Sequence, residues 1–107
     1  MTVFVELPLD IAGESEPLMA RILAPQKRDE ATGWVCRFEV GAPFDYSLDV
    51  NGESSMQALA LALKGLSSVL YGSSLYEEGR LGHHGVFGGY LGLPAASAFQ
   101  DVAPYPF

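Results

Sequence analysis

A chain of 107 residues, 49% hydrophobic and 18% charged, has the length and composition of one globular α+β domain over 1–107, not of a disordered tail. Thirteen acids against six lysines and arginines give a formal net charge of −7. That balance argues against nucleic acid as a partner, where cations must neutralise phosphates, and suits a basic or neutral protein.

The first residues, Thr2 to Leu7, alternate with Val3, Val5 and Leu7 on one face and Phe4 and Glu6 on the other, the period-two mark of a half-buried strand. They lack the basic flank and continuous apolar run of a signal peptide. Pro8 is expected to weaken the strand's continuation. After the turn-rich Gly13-Glu14-Ser15-Glu16-Pro17, a second strand is expected over Leu18 to Ala24, and a polar loop from Gln26 to Thr32 ends it. The third strand sets Trp34, Cys36, Phe38 and Val40 on a core face against Val35, Arg37 and Glu39. A connector with Gly41 and Pro43 leads to a fourth run, in which Tyr46, Leu48 and Val50 alternate with Ser47, Asp49 and Asn51.

Asn51-Gly52 stops that strand, and Ser54 with Gln57 forms an S-x-x-Q capping box, so a helix begins near Ser55. Met56, Leu59, Leu63, Leu66 and Leu70 predict the stripe that packs on the sheet, with a small-residue stripe of Ala58, Ala62 and Gly65 beside it. Gln57, Lys64, Gly65, Ser67 and Ser68 interrupt this most apolar stretch, which reads as a buried helix and not a membrane span. From Gly79 to Gly92, six of fourteen positions are glycine, predicting loops, a short extra strand or a hairpin. The expected architecture is a four-stranded, mainly antiparallel meander followed by one long helix packed on one face, with a glycine-rich C-terminal segment.

Chemistry is sparse along this chain. His83 and His84 are the metal candidates, but adjacent histidines on a strand point to opposite faces, and no ligand spacing links them to Glu77, Glu78 or Asp101. Gly85, Gly88, Gly89 and Gly92 invite a phosphate loop, yet no lysine accompanies them. Cys36, the only cysteine, forms no intrachain disulfide and sits on the core face as an inert thiol. No catalytic residue and no cofactor is assigned, and the chain is not expected to be an enzyme. The acids of the first half lie on loops or outward strand positions. Among them Asp45, Asp49 and Glu53, with Phe44 and Tyr46 as aromatic anchors, are candidates for partner binding, joined by Tyr105 and Phe107 of the apolar C-terminal tail.

Trp34-Val35-Cys36-Arg37-Phe38, Gly52-Glu53-Ser54, Gln57-Ala58-Leu59-Ala60-Leu61-Ala62-Leu63 and Gly92-Leu93-Pro94 together resemble a family of small, uncharacterised bacterial proteins, a domain of unknown function with a W-x-C-x-F strand and a Q-A-L-x-L-A-L helix. The resemblance covers roughly residues 18 to 94 and implies a fold and a bacterial origin, with no activity attached. A weaker likeness, through Gly52, Ser54, Gln57, Ala58 and Leu59, is to the antitoxins of toxin–antitoxin pairs. The expected function is a cytoplasmic protein-binding module of immunity or antitoxin type, acting on a partner such as a toxin through acidic loops or the helix face. A homodimer is compatible with it, whereas nucleic acid and membrane are not expected partners. The alternative is a small-ligand or metal-binding domain built on the Gly/His-rich loop.

Overall fold

In chain order the elements are β1 (Val3–Ile11), β2 (Leu18–Leu23), β3 (Gln26–Lys27), β4 (Trp34–Val40), β5 (Tyr46–Gly52), α1 (Ser55–Tyr71), α2 (Ser74–Glu77), β6 (Leu81–His83) and β7 (Val86–Phe87). They come from a computed structural model that describes residues 2–28 and 33–93. The four longer strands pair as an antiparallel meander, β1 with β2, β2 with β4 and β4 with β5. The four-strand expectation falls short of the seven strands that the sheet has among the described residues. The extra strands are two or three residues long, too short to carry a period-two signal.

One of them, Gln26–Lys27, lies where a polar loop was expected. Because β5 occupies one side of β4 throughout, β3 pairs on the same side as β2 and resumes its line after Ala24-Pro25. Pro25 has no N–H to offer a ladder, which accounts for the break. The first strand also runs further than expected, through Pro8 to Ile11. At Pro8 it has β2 on one side and no described strand on the other, a place where a sheet tolerates proline. Its burial is displaced likewise, with Val3 and Val5 44% and 48% exposed while Leu9 and Ile11 enter the core.

Helix α1 lies over β4 and β5. Its capping serine accepts the Gln57 N–H at 3.0 Å, while the Gln57 side-chain Oε1 accepts from the Glu53 N–H at 2.6 Å, one residue earlier than a regular capping box. The large-residue stripe does not fully face the sheet. Met56 is 78% exposed, whereas Ala58 and Ala62 are wholly buried together with Leu66 and Leu70. The small-residue stripe is thus the contact face, because the helix backbone seats close against the strands. A Cβ built on Gly65 would stand 2.9 Å from Cε2 of the buried Phe38 ring.

The glycine-rich segment forms the β6–β7 hairpin, turned by His84 and Gly85 at φ 52° and 78°. Positive φ at both central residues is the two-residue turn whose twist matches the flanking strands. Asp10 and Ile11 pair with Gly82 and Leu81, which attaches the hairpin to β1.

Beyond the hairpin, two tyrosines pin the chain to the helices. The Tyr71 hydroxyl donates to the Leu93 carbonyl at 2.7 Å and accepts the Leu91 N–H at 3.0 Å, while Tyr76 donates to the Gly89 carbonyl at 3.1 Å. Leu91 and Leu93 are buried below them. Tyr71→Phe removes one partner from each of two backbone groups, so a loss of about 1–3 kcal/mol is expected in urea unfolding. Burial raises the Tyr71 phenol above its ordinary value near 10. The folded chain therefore keeps this proton longer than the unfolded chain, and stability falls as pH rises above about 10. Comparing urea midpoints at pH 9 and 11 checks this, because the drop is expected to be smaller in Tyr71→Phe.

Candidate functional site

Five of the residues singled out for partner binding gather on β5 and its two ends. Phe44 and Asp45 close the turn before the strand, where both backbone N–H groups donate to the Gly41 carbonyl at 3.1 Å. Asp45 takes a positive φ of 48°, a conformation aspartate tolerates better than most side chains. Tyr46 and Asp49 belong to the strand itself, and Glu53 follows it in the turn to α1. The remaining candidates, Tyr105 and Phe107, lie outside the described residues.

The two faces of β5 differ in chemistry. Tyr46, Leu48 and Val50 stand opposite Val40, Phe38 and Cys36, on the helix-bearing side. Yet β5 is the last described strand on that side of the sheet, and Tyr46 and Leu48 remain 43% and 45% exposed. Phe44, Tyr46 and Val69 line a shallow hollow of about 250 Å³ there, and the Tyr46 ring lies 6.0 Å from that of Phe38. Leu48 was not among the sequence candidates, because alternation alone cannot separate a central strand from an edge strand.

On the opposite face, Asp49 receives two hydrogen bonds from Arg37, at 2.7 and 3.2 Å. The Arg37 hydrogen bonds hold its carboxyl below the usual carboxylate range. Next to it Arg28 donates to the Asn51 side chain. Asp49 is thus engaged within the sheet, while Asp45 and Glu53 have no ion-pair partner among the described residues.

Among the described residues, two long strands have a side on which no other strand pairs, and they differ in how it is guarded. Sheets blunt exposed edges with bulges, prolines and lysines, which prevent another strand from pairing there. The open part of β1 carries Pro8 and a register irregularity between Val3 and Val5. The β5 edge has none of these, and its register with β4 is continuous over seven residue pairs from Trp34↔Gly52 to Val40↔Tyr46.

The Gly/His-rich loop is occupied by its own packing. His83 and His84 do not point to opposite faces, because His84 is in the turn; their ring centroids are 4.0 Å apart. Tyr90 lies edge-on to His83, and the Gly92 backbone presses so closely that an added Cβ would be 2.8 Å from Nε2. The nearby Asp10 carboxylate accepts the Gly85 N–H at 2.9 Å. Among the described residues no three histidine, cysteine, aspartate or glutamate side chains group as metal ligands.

Cys36 is fully buried, its Sγ donating to the Leu23 carbonyl at 3.3 Å, and burial pushes its thiol pKa up. Its reaction with a disulfide reagent is expected to be slow in the native protein and stoichiometric in denaturant, followed as thiol released against time.

No described helix is long and apolar enough to cross a membrane. No curated protein and no solved structure matches the chain, and nothing found carries the antitoxin likeness. A family model described as a domain of unknown function, DUF6968, matches residues 6–95 and so includes every described element from Glu6 onward, the W-x-C-x-F strand and the Q-A-L-x-L-A-L helix among them. The chain therefore belongs to the DUF6968 family.

Proposed function

We propose that this protein is a protein-binding module of immunity or antitoxin type, which occludes its partner with the surface centred on β5. The observation that carries this reading is the convergence of Phe44, Asp45, Tyr46, Asp49 and Glu53, together with the half-exposed Leu48, on one unguarded strand and its ends. Aromatic and aliphatic groups at the centre of such a surface supply most of the affinity, while surrounding acids speed encounter with a basic partner. The formal charge of −7 supports the same direction of attraction.

The test is capture from a native lysate at low and high salt, with wild-type protein and Leu48→Glu as parallel baits. One stoichiometric partner, held by wild type at low salt, weakened by high salt and lost from the variant, supports the reading. Equal capture by both baits moves the interface away from β5, and no captured protein at either salt overturns the function.

A further inference from the structure

Resting on the partner-binding reading above, we propose that the open side of β5 accepts an extended segment of the partner as an added strand. That segment carries apolar residues toward Tyr46 and Leu48 and a basic residue toward each of Asp45 and Glu53. The first part of the case is the backbone. Strand addition draws its affinity from main-chain hydrogen bonds along a free edge and its specificity from alternate side-chain positions. β5 offers an edge seven residues long, without proline or bulge.

The side chains define the occupant. On the helix side, Leu48, Tyr46 and the hollow that Tyr46 forms with Phe44 and Val69 present apolar surface to every second residue of an added strand. On the outer side Asp49 is held by Arg37, leaving Asp45 and Glu53 as the charges a newcomer would meet. They bracket the seven-residue edge, Asp45 in the turn before it and Glu53 in the turn after it. A matching segment is therefore about nine residues long, cationic at both ends and alternately apolar between them.

The same charges disfavour a second copy of this chain. Full-length antiparallel pairing of two β5 edges matches position 46 with 52 and places Asp49 opposite Asp49. It also brings Asp45 of one copy opposite Glu53 of the other. Like charges directly opposite one another destabilise a strand pair, and opposite charges favour it.

The test uses two peptides, each closed as a hairpin so that one strand is preformed. That strand has valine at alternate positions, threonine between them, and lysine at both ends in one peptide or glutamate at both ends in the other. Backbone amide shifts and hydrogen exchange of the full chain are followed during titration. The expected result is perturbation and protection concentrated at 46–52 with the lysine peptide, and binding at least about tenfold weaker with the glutamate peptide or with the Asp45→Asn, Glu53→Gln double variant. Equal binding of both peptides, or perturbation elsewhere with 46–52 unchanged, overturns the proposal. So does concentration-dependent protection of 46–52 without peptide, which assigns the edge to a second copy. If a partner is captured from lysate and lost by Leu48→Glu while the peptides leave 46–52 unchanged, strand addition fails and the partner-binding reading stands. If the wild-type bait captures no partner at either salt, it is the partner-binding reading that fails.

Discussion

Replacing Phe38 with alanine is expected to lower the unfolding free energy by about 3–5 kcal/mol, seen as a lower urea midpoint at an unchanged slope. The ring is fully buried in β4 under α1, so truncation removes both its transfer from water and its packing contacts. Its neighbour Gly65 makes the site more diagnostic. Alanine in a helix interior is favoured over glycine by about 1 kcal/mol, but here its methyl would meet Phe38 Cε2 at 2.9 Å. Gly65→Ala is therefore expected to destabilise wild type by about 1–3 kcal/mol and to become neutral or favourable in a Phe38→Leu background. A double-mutant cycle measures this reversal, and additive effects would show that the close approach has no energetic weight.

Gly52→Ala is expected to cost about 2–3 kcal/mol or more and to lower the melting temperature by roughly 10–20 °C. A Cβ at this position would lie 2.5 Å from the backbone nitrogen of Ala58 and 2.8 Å from its Cα. These atoms belong to the first turn of α1, whose Ala58 N–H donates to the Ser54 carbonyl at 3.0 Å. No side-chain rotation can relieve such a contact, so either the helix start or the end of β5 must move. The check is thermal unfolding followed at the helix band, and a wild-type melting temperature would mean that the junction yields at little cost.

The class of the fold was legible because local rules suffice for its long elements. Trp34 to Val40 alternates, Asn51-Gly52 and Ser54 punctuate, and α1 begins at Ser55 where the cap predicts. What local rules cannot give is which apolar face meets which neighbour. Met56 continues a regular stripe and yet lies in solvent, since side-chain size says little about how close a helix sits to its sheet. Val3 and Val5 likewise have the pattern of a core strand without the cover of one. The glycine-rich run points to loops, a short strand or a hairpin without choosing among them, because strands of two and three residues have no periodicity to fix their bounds; the structure shows the β6–β7 hairpin.

The candidate site was legible as residue types and not as a place. Phe44, Asp45, Tyr46, Asp49 and Glu53 were recognisable because acids and aromatics alternate around one strand, but Leu48 becomes exposed only because β5 ends the sheet. The engagement of Asp49 by Arg37 also depends on strand pairing, in which the two stand opposite one another. His83 and His84 attracted notice by composition, and their mutual packing follows from a turn geometry that composition does not encode.

The bond from Gly85 to the Asp10 carboxylate joins positions 75 residues apart, and β6 pairs with the end of β1. On a ribosome, β1 can meet β2 early, but its last two residues must wait until nearly all of the described chain has emerged. The hairpin of β4 and β5 with the helix that follows it needs only neighbouring segments, so it is the natural nucleus. Docking of β6 on β1 closes a long loop and belongs to the late stage of folding.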